Sequence, residues 1–160
     1  MDANQEAQPQ RALTAVGFLL AQVGAYAANR FAERTAALDL TPAHAGLLRL
    51  LIAQPGRSQR ELADELGMPP SRFVQFADKL EQRGLIERRR NPDDRRLHAL
   101  YLTEEGRGAL LKIAAVAREA EENLCRSLSE AEHKQLSALL VRIAADQGLT
   151  PGVHPGYKRE

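Results

Sequence analysis

Residues 85–102, Leu-Ile-Glu-Arg-Arg-Arg-Asn-Pro-Asp-Asp-Arg-Arg-Leu-His-Ala-Leu-Tyr-Leu, read as two short strands joined by a basic turn, directly after a helix that Gly84 closes. One hairpin set among helices predicts a mainly α fold with a single small β element. Its charge is uneven. Between positions 83 and 96, Arg83, Arg88, Arg89, Arg90, Arg95 and Arg96 stand against Glu87, Asp93 and Asp94, a local +3 in a chain whose total is +1. A focused basic tip is what polyanion binding requires.

The chain of 160 residues has the length of one domain, and its 44% apolar content is ordinary for a single globular core. Aromatic residues make up only 4% and there is no Trp, which leaves few rings on which single-stranded bases could stack. A duplex is the expected nucleic acid. The apolar runs Leu47-Leu48 and Leu50-Leu51-Ile52-Ala53, on either side of Arg49, are too short to span a bilayer. The start Met-Asp-Ala-Asn-Gln-Glu is polar and acidic, unlike a signal peptide. The expectation is a cytoplasmic protein with no membrane partner.

Residues 1–10 are polar and predicted to be flexible. Leu13, Val16, Leu20, Val23, Ala27 and Phe31 then recur at spacings of three and four, predicting a helix over 11–36. Thr41 before Pro42 marks the start of a second helix, which Pro55-Gly56 ends. Ser58-Gln59-Arg60-Glu61 has the form of a capping box, and it opens a third helix that Gly67 closes. A fourth helix begins near Pro69-Pro70-Ser71, with Phe73, Phe76, Ala77 and Leu80 on an inward stripe and Ser71, Arg72, Gln75 and Lys79 opposite. The third and fourth helices have the form of a helix-turn-helix, whose second helix enters a major groove. Thr103 with Glu104 and Glu105 starts a fifth helix running to about 127, and a capping box at Ser129-Glu130-Ala131-Glu132 starts a sixth.

The predicted organisation is one structural domain. It comprises a flexible terminus (1–10), a dimerisation helix (11–40), a winged helix-turn-helix (41–103), dimerisation helices (104–147) and an irregular tail (148–160). Leu110, Ile113 and Leu124, with Leu136, Leu139, Leu140 and Ile143, form apolar stripes with no place in the small winged core. A homodimer is the expected way to cover them, and two-fold symmetry implies a palindromic DNA site.

Three motifs carry a family resemblance. They are Leu62-Ala63-Asp64-Glu65-Leu66-Gly67, Leu80-Glu81-Gln82-Arg83-Gly84-Leu85-Ile86-Glu87-Arg88, and Asn91-Pro92-Asp93-Asp94-Arg95-Arg96 with Leu102-Thr103-Glu104-Glu105-Gly106. With the order of elements, they make the chain resemble the MarR family of bacterial transcription regulators over roughly residues 11–146. The resemblance implies a ligand-responsive homodimeric repressor; no enzyme activity and no cofactor are expected of the chain. It also implies that Asp94 and Arg96 match an Asp-x-Arg wing motif, in which the arginine enters a minor groove and the aspartate orients it. A guanidinium on a narrow hairpin suits the negative potential of that groove.

The candidate DNA contacts are Ser58, Gln59, Pro70, Ser71, Arg72, Gln75, Lys79, Arg90, Arg95 and Arg96. Pro69-Pro70 departs from the family's usual polar residues, and Pro70 has no N–H to offer a phosphate. Base reading then falls on Ser71, Arg72 and Gln75, while Lys79 and the N-terminus of the third helix suit phosphate. The resemblance further implies a small aromatic or phenolic effector between the dimerisation helices and the DNA-binding lobe, with Tyr26, Arg30, His44 and Arg49 as polar lining.

Other readings have less support. His44, His98, His133 and His154 include no pair three to five residues apart, and Cys125 is the only cysteine, so neither a disulfide nor a thiolate zinc site is expected within one chain. Cys125 reads as a small buried group rather than a redox sensor. A winged helix acting as a protein-interaction module would be neutral or acidic at the wing, where this chain is arginine-rich. No phosphate loop or nucleophile elbow is present.

Overall fold

A computed structural model describes residues 14–90 and 98–154. The elements run α1 (Val16–Ala36), α2 (Pro42–Ala53), β1 (Arg57–Ser58), α3 (Gln59–Leu66), α4 (Pro70–Gln82), β2 (Ile86–Arg90), β3 (His98–Leu102), α5 (Glu104–Leu124) and α6 (Glu130–Asp146). The predicted fold class holds, and so does the order of the six helices and the hairpin; β1 is an addition. The fifth helix stops at Leu124 rather than near 127, because Cys125 leaves the helical path and the chain turns toward Ser129.

Local chemistry sets most helix starts. Thr41, Ser58, Thr103 and Ser129 each accept a hydrogen bond from the backbone N–H three residues on, supplying an oxygen to an otherwise unpaired donor. At α2 the box is closed by His44, whose Nδ1 accepts the Thr41 N–H at 3.1 Å. Gly67 ends α3 in the left-handed region, φ 65°, and its N–H returns to the carbonyls of Ala63 and Asp64.

The sheet corrects the sequence reading. It has three strands in the order β1-β3-β2, all antiparallel, with Arg57 opposite Leu100 and Arg88 also opposite Leu100 on the other side. A two-residue strand is too short to show alternation, so β1 is visible only through its pairing.

The core lies beneath the hairpin. Leu47, Leu48 and Leu51 of α2 meet Leu62 and Leu66 of α3, Phe73 and Leu80 of α4, and Ile86 and Leu100 of the sheet. Ile113 of α5 joins them with Leu110 packed alongside, so this part of the α5 stripe, expected to have no place in the winged core, is covered by it. Burying side chains of this size stabilises by about 1.5–3 kcal/mol each. α5 begins hard against the hairpin: a Cβ on Gly106 would fall 2.0 Å from the Leu85 carbonyl oxygen, so only glycine fits there.

The outer helices are different. Among the described residues α6 buries none of its own, and α1 buries only Thr35, whose hydroxyl donates to the Phe31 and Ala32 carbonyls. Val16, Phe18, Leu20 and Val23 on α1, and Leu136, Leu139, Leu140 and Ile143 on α6, are left exposed. The predicted tail is not loose throughout. Val153 packs against the core, and the Gly152 carbonyl accepts from Arg49 Nη2. No helix among the described residues is long and apolar enough to cross a membrane.

Candidate nucleic-acid interface

α4 presents the two faces its spacing predicts. Phe73, Ala77 and Leu80 are buried, Phe76 is half-buried, and Pro70, Ser71, Gln75 and Lys79 are exposed with Arg72 half-buried beside them. Pro69 occupies the N-cap position and makes no side-chain cap bond, so the helix relies on proline's fixed φ for its start. Ser58 is more occupied than a free phosphate donor would be. Its hydroxyl and its N–H both donate to Glu61 Oε2, at 2.7 and 2.8 Å, and these bonds hold the Glu61 carboxyl below the usual carboxylate range.

The hairpin arginines divide by role. Arg88 is turned inward: its side chain is 16% exposed, Nη2 lies 2.5 Å from Asp78 Oδ1, Nη1 bonds Glu81, and Nε and Nη2 both donate to Gln59 Oε1 at 3.4 and 3.3 Å. It therefore braces β2 against α3 and α4. Arg83 bonds the Leu38 and Asp39 carbonyls and so anchors the end of α4 to the linker after α1. Arg89 pairs with Glu87 and lies over the Tyr101 ring, 4.6 Å from its centroid. Arg90 is exposed at the end of β2. Asp94, Arg95 and Arg96 lie outside the described residues. The basic stretch from Arg83 onward is thus partly scaffold, with Arg83 at the end of α4 and Arg88 on β2 holding the frame.

Of the four effector candidates, two share a space. Tyr26 and Arg30 line a cavity of about 430 Å³ between α1 and α5, with Phe31, Arg34, Leu124 and Arg126. Arg34 bridges the two helices through Glu119 at 2.9 Å. His44 lies elsewhere, on a concavity with Asp39, Thr41, Lys79 and Arg83. Its ring stacks on Phe76 at 4.5 Å, and its Nε2 has no hydrogen-bond partner among the described residues. Burial first, then Lys79 and Arg83, push its pKa down from 6.5 to about 4, against a smaller opposing pull from Asp39. Arg49 is exposed and holds the tail.

Comparison with known proteins gives this geometry a family. Residues 38–97 match the MarR family. A putative transcriptional regulatory protein for the hcr operon of Thauera aromatica is 33% identical over 137 residues, covering 85% of this chain and 82% of that protein. The chain belongs to the MarR family of transcriptional regulators. The transcriptional repressor CouR, bound to a 23-mer DNA duplex, is similar to this chain at 37% identity and a TM-score of 0.71, over 81% of this chain and 92% of that one. CouR from Rhodococcus jostii, bound to p-coumaroyl-CoA, is similar at 30% identity and a TM-score of 0.66, over 82% and 92%.

In this MarR-family chain the exposed face also holds residues that sequence reasoning passed over. Val74 is 43% exposed and borders a concavity of about 480 Å³ with Ser58, Gln59, Arg60, Pro70 and His98. An apolar side chain there suits a thymine methyl. The available signal was a valine on an otherwise polar helix face. Cys125 departs from expectation in being half-buried rather than buried, and desolvation, then the Glu121 carboxylate, push its thiol upward. A protonated thiol is a poor nucleophile, which argues against a redox-sensing role.

Proposed function

We propose that the chain acts in the cytoplasm as a homodimeric repressor of a palindromic operator. α4 enters the major groove with Ser71, Arg72 and Gln75 toward base edges and Lys79 toward phosphate, while Pro70 brings the helix start close to the backbone. Arg90, Arg95 and Arg96 serve the wing, with Arg96 in the minor groove and Asp94 orienting it. Gln59 and Ser58 sit at the phosphate-facing end of α3. The observation that carries this reading is the brace at Arg88: β2 is tied to α4 and to Gln59 on α3, so the recognition helix and the base of the hairpin are held in one frame that can face a duplex. The bare apolar faces of α1 and α6 supply the second subunit's contact.

The effector reading extends this. An aromatic compound, of which CouR's p-coumaroyl-CoA is an example, would occupy the cavity beside Tyr26, where Arg30 and Arg126 suit its anionic groups. It acts by favouring a spacing of the two lobes that does not fit DNA. His44 and Arg49 belong to other parts of the surface and are not needed for this.

Footprinting on DNA flanking the encoding gene tests the reading. Protection of a palindrome, with affinity falling steeply as salt rises, is the expected result. Retention that salt does not affect, or none on any duplex, would refute it.

A further inference from the structure

The turn between α5 and α6 gathers three side chains of a kind that metals select. Glu121 and Cys125 stand one helical turn apart at the end of α5, and His133 comes from the first turn of α6; their ligand atoms all lie within 4.8 Å of one another. His133 Nε2 is already 2.8 Å from Glu121 Oε1. We propose that Glu121, Cys125 and His133 form a binding site for a zinc ion.

Donor chemistry selects the ion. A thiolate, an imidazole and a carboxylate are each common zinc ligands, with bonds of about 2.0–2.3 Å, whereas magnesium and calcium take oxygen donors. An exposed His–Glu pair is by itself an ordinary surface contact of little energetic worth. The thiol converging on the same point is what such a pair does not explain. Counting histidine spacings along the chain misses this set, because its third member arrives only when the helices fold back at the turn.

The backbone around the site is held independently of any ion. The Cys125 N–H donates to the Glu121 carbonyl and the Leu128 N–H to the Cys125 carbonyl, both at 2.9 Å. Ser129 and Glu132 close the capping box that starts α6, and the Ser129 hydroxyl keeps Glu132 turned to that cap at 2.7 Å. Glu132 therefore does not compete as a ligand. Zinc displaces the thiol proton and any proton shared by His133 and Glu121, and water completes a tetrahedron. Glu121 also borders the cavity that Tyr26 and Arg30 line, so the ion sits at that cavity's edge.

Cobalt(II) added to tag-free protein reads the site directly. The expected result is a thiolate-to-cobalt charge-transfer band with tetrahedral visible bands, saturating at equimolar metal and displaced by zinc. Cys125→Ser removes the charge-transfer band. His133→Gln and Glu121→Gln each weaken cobalt binding by more than about tenfold, the least that supporting-shell changes cost at known sites. His98→Gln and His154→Gln leave it unchanged. Because Glu121 is exposed and His133 only partly covered, those two variants keep their melting behaviour even if Cys125→Ser does not. A folded protein with no charge-transfer band overturns the proposal, as does a band that survives His133→Gln and Glu121→Gln at full affinity.

Discussion

Arg88 on β2 and Asp78 on α4 form an ion pair, Nη2 to Oδ1 at 2.5 Å, that joins the hairpin to α4. The arginine is largely covered and the aspartate is not, at 16% and 43% exposure. Removing the arginine leaves Asp78 and Glu81 facing each other without a cation, whereas removing Asp78 leaves Arg88 its bonds to Glu81 and Gln59. Arg88→Ala should therefore destabilise the fold by about 1–3 kcal/mol, and Asp78→Ala by less. A double-mutant cycle in urea, with duplex affinity measured alongside, checks this, and strict additivity would remove the brace.

The wing arginine is the sharpest test of the DNA reading. Arg96→Ala should leave the dimer folded and weaken operator binding by about 1–3 kcal/mol in a gel shift. Asp94→Ala should cost affinity through Arg96, so the pair should show coupling. Unchanged affinity in Arg96→Ala would take the wing out of the interface.

Leu139 lies 44% exposed on α6 in a stretch with no buried residue. If a second copy covers that face, Leu139→Glu places a charge in a desolvated contact and should weaken association by about 2 kcal/mol or more. Sedimentation should then show monomers with poor duplex affinity. Intact dimers would move the interface away from α6.

His44 makes stability depend on pH. The unfolded chain binds its proton near the ordinary value of 6.5 and the folded chain only near 4. The unfolded state therefore holds more protons between those values, and stability falls as pH drops from about 6.5 toward 4, by at most about 3 kcal/mol. His44→Gln keeps a side chain able to accept the Thr41 N–H and removes the titration. Its melting temperature should fall less than the parent's over that window, and parallel curves would contradict the assignment.

The local signals were legible because their chemistry is local. Each cap at Thr41, Ser58, Thr103 and Ser129 involves a bond spanning three residues, so a serine or threonine in the right place announces a helix start. Apolar spacing likewise revealed the buried stripe of α4 and the bare faces of α1 and α6, which together carried element order, fold class and the recognition face. The MarR resemblance rested on the same stretch, 62–106, where motif and periodicity coincide.

What folding alone decided involves partners that no local pattern names. β1 exists only because β3 passes beside it. Arg88 looks in sequence like one more wing charge, and its inward role depends on Asp78, Glu81 and Gln59 arriving from two helices. Arg49 reaches a tail carbonyl 103 positions away, which removes it from any pocket with Tyr26. Glu121, Cys125 and His133 converge through the turn between two helices. Periodicity tells which side of a helix is buried, while the identity of a neighbour across the core depends on how the helices pack, and that was settled only in three dimensions.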